Sequence, residues 1–145
     1  MGSLNLPTSG TVYLDTVALI YAVESVRPYS DLLAPLWQCS QEGGCELVTS
    51  ELAVLETLVG PMKSGDSDLL AAYEEVLGGS DLKLIPIDDV VLRAAAQLRA
   101  RTSIRTPDAI HAATALAHDV DSFITNDLGF RAIDSLPVQI LKDML

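Results

Sequence analysis

An α/β domain with a mostly parallel sheet, covered by helices on both faces, is the fold class this 145-residue sequence predicts. Two observations carry that expectation. Short apolar runs alternate with helix-like stretches along the whole chain, the pattern of βαβ units. Acids sit just beyond two of those runs, Asp15 after TVYL and Asp127 after SFITN, where parallel sheets bind their ligands. The length suits one domain with one core, so residues 1–145 are read as that domain and 1–10 as a flexible N-terminal extension.

The elements follow in order. A first strand is expected over 11–14 and a helix from 16 to about 25, broken at Arg27-Pro28 because proline disfavours helix in the residue before it. A second helix runs over 30–41 and stops at Gly43-Gly44. The second strand is 46–49. The third helix runs from 50 to about 59 and stops at Gly60-Pro61; the fourth runs over about 67–77 and stops at Gly78-Gly79. A third strand covers 83–87. Asp88 then reads as the N-cap of a helix through Arg101. Thr106-Pro107 reads as an N-cap with proline at the first helical position, opening a helix to about His118. The last strands are 122–125 and 138–141.

Composition excludes several classes. Hydrophobic residues make up 49% of the chain, which argues for a folded globule. No apolar run approaches the roughly 20 residues needed to span a bilayer, so no membrane association is expected. The start, MGSLNLPTSG, lacks the charged and apolar regions of a secretion signal. Cys39 and Cys45 make neither a disulfide framework nor a zinc-ligand set and read as ordinary residues of a reducing cytoplasm. A net charge of −11 argues against sequence-blind capture of nucleic acid. Four of the nine basic residues, Arg93, Arg99, Arg101 and Arg105, nevertheless fall in one segment. That segment is either a solvated helix face or a phosphate-steering patch. No P-loop, dinucleotide fingerprint or nucleophile elbow occurs.

Four acids stand where an acid is not the default: Asp15, Glu56, Asp108 and Asp127. Asp15 ends an apolar run. Glu56 lies on the stripe formed by Leu52, Leu55 and Val59 and should face a cleft, a cation or a partner, since an unpaired buried carboxylate is costly. Asp108 opens an alanine-rich helix, and Asp127 follows a strand. Each has a plainer role open to it: a cap for Asp15, a boundary position for Glu56, a helix-dipole acid for Asp108, a polar turn for Asp127. If the four converge, they repel one another unless a positive charge intervenes. The natural guest is a hard divalent cation such as Mg²⁺ or Mn²⁺, which prefers oxygen ligands. Thr125 and Asn126 are candidates to orient the carboxylates or water. His111, one turn after Asp108, reads as structural, and His118 as a helix-end residue.

These residues resemble the PIN-domain family, and within it the VapC-type toxins of bacterial toxin–antitoxin pairs. The matching motifs are YLDT-x-x-L at 13–19, S-x-L-x-x-x-E at 50–56, TPDAIHAATA at 106–115 and ITNDLGF at 124–130, and the likeness spans nearly the whole chain. The resemblance implies a three-layer α/β/α fold and a Mg²⁺- or Mn²⁺-dependent ribonuclease. It also implies a homodimer and a small antitoxin partner. Its four acids map onto Asp15, Glu56, Asp108 and Asp127. The chain departs from expectation in being strongly acidic for a protein that approaches RNA.

The expected activity is therefore hydrolysis of RNA phosphodiester bonds in the cytoplasm. Asp15, Asp108 and Asp127 bind metal. Glu56 either binds metal through water or orients the attacking water, and the sequence leaves both open. Arg105 is the candidate phosphate contact. The alternatives are a catalytically silent PIN-like interaction protein and a metal-dependent DNase.

Overall fold

Alternation of side chains along five short strands sets the architecture. A computed structural model describes residues 6–145. The strands are β1 (Gly10–Leu14), β2 (Cys45–Ser50), β3 (Leu82–Ile85), β4 (Ser122–Thr125) and β5 (Val138–Ile140). All pair in parallel, in the order β3-β2-β1-β4-β5. The helices are α1 (Thr16–Val23), α2 (Tyr29–Gln41), α3 (Leu52–Ser64), α4 (Ser67–Gly78), α5 (Asp89–Arg101) and α6 (Thr106–Ala117). Val12, Leu14, Leu47 and Ile124 point to one face and pack with Leu19, Leu33 and Leu36 of α1 and α2. Their neighbours Tyr13, Val48 and Phe123 point to the other and pack with Ala112 and Ala115 of α6. That period of two makes both faces of the sheet hydrophobic, and each needs a helical cover. The result is a three-layer α/β/α sandwich.

The layers follow from the handedness of the connections. From β1 the chain steps to β2 and β3 on one side, then returns across β1 to β4 and β5 on the other. Right-handed crossovers in opposite directions place their helices on opposite faces. So α1 to α4 form one layer, and α5 and α6 the other.

Most expected boundaries hold within a residue or two, and three details differ. The third helix does not stop at Gly60-Pro61 but runs on to Ser64 with Pro61 inside it. Gly60 has no Cβ, which removes part of the clash that a proline imposes on the residue before it. The real stop is Gly65, in the left-handed region at φ 71°, with the Asp66 N–H closing on the Pro61 carbonyl at 3.0 Å. The last α-helix takes Arg105, not Thr106, as its N-cap. The Thr106 hydroxyl is engaged elsewhere, accepting from Arg99 Nη1 at 2.9 Å. Of the expected N-terminal extension, residues 1–5 lie outside the described residues, Leu6 is buried in the core, and Gly10 begins β1.

Asp88 caps α5 as expected, its carboxylate accepting from the Val91 N–H at 2.9 Å. Asp88→Ala is expected to lower stability by about 1 kcal/mol in urea denaturation, the typical value of a helix N-cap. No change in the midpoint would show that α5 is held by its packing on α6 alone.

Candidate active site

The strand order reverses between β1 and β4, and that reversal opens a crevice at the carboxyl edge of the sheet. Asp15 is the first residue after β1. Its N–H is bound by the Ile124 carbonyl of β4 at 3.0 Å, which fixes it on the seam. Its carboxylate is buried. Oδ1 accepts from the Thr16 N–H at 2.9 Å, and Oδ2 from the Thr125 hydroxyl at 2.7 Å. The same Thr125 oxygen accepts the Asp127 N–H at 3.1 Å, so one hydroxyl ties the two strand-end acids together.

Glu56 reaches the crevice from α3, though not along the face its apolar neighbours suggest. Leu55 and Val59 are 65% and 43% exposed, and the core-facing residues are Ala53, Thr57, Leu58 and Pro61. Glu56 therefore lies at the boundary between core and solvent. Its Oε1 accepts from the Thr16 hydroxyl at 2.8 Å and stands 2.6 Å from His111 Nε2. Asp108 comes from the first turn of α6, with Oδ2 3.4 Å from Arg105 Nε. Asp127 caps a short 3-10 helix, Leu128–Ala132, through Oδ1 and the Gly129 N–H at 2.8 Å. Asp15, Asp108 and Asp127 thus keep the helix-end roles open to them while facing the crevice.

All four acids line one open cleft of about 570 Å³, together with Thr16, Tyr21, Arg105, Asn126 and Lys142. Burial pushes the Asp15 carboxyl up, and the nearby Asp108 adds to this, against the opposing pull of His111, Thr125 and Thr16. Asp108 is also raised, first by burial and then by the charge of Asp127, against the pull of Arg105. Glu56 goes the other way. Burial would raise it, but hydrogen bonds from His111 and Thr16 and the charge of Arg105 outweigh that and hold it below the ordinary value. Burial keeps the Tyr13 phenol protonated, well above its usual range.

The donor chemistry fits a hard divalent cation. Every acid offers oxygen, and Asp108 Oδ1, Asp127 Oδ2 and Glu56 Oε2 have no protein hydrogen bond among the described residues. Burial disfavours the charged forms of Asp15 and Asp108 by more than their protein partners favour them. As the side chains stand, no three His, Cys, Asp or Glu groups among the described residues close around a single point. Each carboxylate leans instead toward its own local donor.

Three residues of the site escape a reading of the sequence. His111 is not only packing: it is buried against Glu56 and Tyr13. Its signal was its place one turn after Asp108 on the same helix face. Thr16 stood in the YLDT motif with no role of its own assigned, and Lys142 carried no signal. The basic cluster disperses in the fold. Arg93 pairs with Asp89 at the surface, Arg99 holds the Ile104 carbonyl and Thr106, and Arg105 alone of the four lines the cleft.

A family model described as PIN domain matches residues 12–136. Similar solved structures include VapBC2 from Rickettsia felis bound to a DNA fragment from its promoter, at 20% identity and a TM-score of 0.72, covering 90% of this chain and 98% of that one. A toxin–antitoxin complex from Klebsiella pneumoniae is 23% identical, with a TM-score of 0.67 and coverage of 90% and 97%. VapBC-1 from nontypeable Haemophilus influenzae is 18% identical, with a TM-score of 0.70 and coverage of 91% and 98%. At these identities the likeness is one of fold. No curated protein matches the chain.

Asp108→Asn tests the charge balance of the cleft. Because its native pKa is raised, Asp108 holds its proton more tightly in the folded state than in the unfolded chain. Its contribution to stability therefore falls as pH rises from the ordinary carboxylate value to the raised one, and stays low above it. At neutral pH without divalent cations, the Asn variant is expected to melt at or above the wild-type temperature. A loss of about 1 kcal/mol would mark Asp108 as a helix-dipole residue alone.

Proposed function

The chain belongs to the PIN-domain family, and from that premise we propose that it is a Mg²⁺- or Mn²⁺-dependent endoribonuclease, the toxin of a toxin–antitoxin pair. The observation that carries this reading is the convergence of Asp15, Glu56, Asp108 and Asp127 on one open cleft at the carboxyl edge of a parallel sheet. Asp15, Asp108 and Asp127 are the residues that hold the cation. When bound, the cation supplies positive charge to the phosphoryl oxygens and acidifies water toward neutral pH. Thr125 and the Thr16 N–H hold Asp15 in place, and Thr125 aligns the backbone of Asp127 with it. Arg105 and Lys142 put positive charge at the cleft, where an RNA phosphate enters. Glu56 either binds the cation through water or orients the attacking water. Such an enzyme meets its substrate in the cytoplasm.

A small antitoxin and a second copy of the chain are the proposed protein partners. Leu55, Val59 and Met62 support a protein interface, since α3 leaves them 65%, 43% and 60% exposed. Sedimentation at about tens of micromolar is expected to give a dimer, and Met62→Glu to shift it toward monomer. A monomeric wild type at that concentration removes the second copy from the proposal.

The activity test uses RNA and DNA substrates with Mn²⁺ and with chelator. Metal-dependent cleavage of RNA is expected, and Asp15→Asn and Asp127→Asn should each lower it by about 10²-fold or more. Mn²⁺ at about 100 times its Kd should stabilise the wild type by roughly 2.7 kcal/mol and the Asn variants by less. Preferential cleavage of DNA replaces the ribonuclease reading with a DNase. Binding of a partner with no cleavage of either replaces it with a silent interaction protein.

A further inference from the structure

His111 is 1% exposed and sits between a phenol, which can donate or accept, and a carboxylate, which only accepts, with the Thr16 hydroxyl also 3.1 Å from Nε2. On one side the Tyr13 hydroxyl stands 2.5 Å from Nδ1. On the other, Glu56 Oε1 stands 2.6 Å from Nε2. A carboxylate only accepts, so Nε2 must carry the hydrogen that joins it to Glu56. In a neutral ring Nδ1 is then an acceptor, and the Tyr13 hydroxyl is its donor. The Tyr13 oxygen in turn accepts the Ser50 N–H at 3.1 Å. Donation thus runs one way, from the end of β2 through Tyr13 and His111 to Glu56.

That relay meets Glu56 at one oxygen only. Oε1 takes both His111 Nε2–H and the Thr16 hydroxyl, whereas Oε2 has no protein donor among the described residues. Glu56 itself lines the cleft. An acid held by two donors at one oxygen has a fixed orientation, and its second oxygen is the one presented to the cleft. Neither Tyr13 nor His111 lines that cleft, so neither touches a substrate there.

We propose that Tyr13 and His111 are positioning residues: they fix the Nε2–H tautomer and clamp Glu56 by Oε1, so that Oε2 accepts from the water that attacks the phosphodiester. The catalytic part of this rests on the nuclease reading above. It resolves the role of Glu56 in favour of water rather than metal. In the step, the water oxygen bonds to phosphorus as one bridging P–O bond breaks. The proton released by the water passes to Glu56 Oε2, and the departing alkoxide oxygen takes a proton from solvent.

The test has two arms. In the first, ¹⁵N–¹H correlation spectra of the metal-free protein read the ring nitrogens of His111. The Nε2–H tautomer is expected in the wild type, with Tyr13→Phe shifting the resonance of the unprotonated Nδ1 as it loses its donor. An Nδ1–H ring in the wild type overturns the clamp, as does a Tyr13→Phe spectrum identical to wild type. In the second arm, His111→Ala is compared with His111→Gln, whose amide nitrogen keeps a donor near Nε2. His111→Ala is expected to lower kcat by about 10–100-fold, with KM and the Mn²⁺ Kd changed by less than about threefold. His111→Gln, which retains the side-chain volume, should recover part of kcat. Should the alanine variant fail to fold, His111→Gln and Tyr13→Phe carry the kinetics, each showing a kcat loss without a KM change. A parallel fall in Mn²⁺ affinity makes Glu56 a metal ligand and overturns the proposal. Absence of cleavage by the wild type retires the nuclease reading and the water's role with it, while the ring-nitrogen result still decides for or against the clamp.

Discussion

Everything at the candidate site depends on burying one carboxylate at the seam between β1 and β4. Taking an ionised acid out of water costs several kcal/mol unless it is hydrogen-bonded or paired. The fold meets part of that cost at Asp15 with the Thr16 N–H and the Thr125 hydroxyl. The Thr16 N–H is local, but the Thr125 hydroxyl is at hand only because β1 and β4 are parallel neighbours whose carboxyl ends are level, Leu14 opposite Ile124. A one-residue slip in that pairing would turn Thr125 to the other face of the sheet and leave Asp15 without its second donor. Those donors do not outweigh burial, which keeps the Asp15 carboxyl above its ordinary value.

The other acids are placed by local rules that need no knowledge of the cleft. Asp108 suits the first turn of α6 and Asp127 caps the 3-10 helix after β4. Convergence comes from topology: α6 feeds β4, and the reversal of strand order puts both beside β1. The same placement reconciles a net charge of −11 with the proposed approach to RNA. That charge disfavours broad electrostatic capture, but Arg105 and Lys142 both stand at the cleft. Two basic residues stand beside the four acids that line the cleft, and a bound cation would offset those acids where a phosphate would enter.

The strands were legible because their apolar runs are short and bounded by glycine, proline and acids. So was the alternation that makes the sheet parallel. Asp15, Glu56, Asp108 and Asp127 were legible as anomalies of position. The orientation of α3 was not. Its small residues Ala53 and Thr57 face the core, while the larger Leu55 and Val59 face outward. A periodicity count weighted by hydrophobicity picks the wrong stripe, because the core face also includes Pro61 and Leu58, the latter packed against α1 and α4. Gly60-Pro61 misled for a related reason: the pair usually ends a helix, yet glycine relieves the clash that makes it do so. The position of His111 was legible, one turn after Asp108, but its role was not, because that is set by the groups that meet its two nitrogens, and Tyr13 and Glu56 lie far away in the sequence.

The environments of the acids also separate their roles. Asp15 and Asp108 are raised, by burial first and by neighbouring carboxylates next. Glu56 is lowered, because His111, Thr16 and Arg105 outweigh its burial. Divergent pKa values among clustered acids are how one site assigns different tasks to chemically similar groups. An acid whose charge the protein already balances gains little from a cation. Acids whose charge it leaves unbalanced gain the most. A cation held as proposed by Asp15, Asp108 and Asp127 would leave Glu56 beside it, next to His111. The division of labour in the proposed reaction then follows from which carboxylates the fold has neutralised and which it has not.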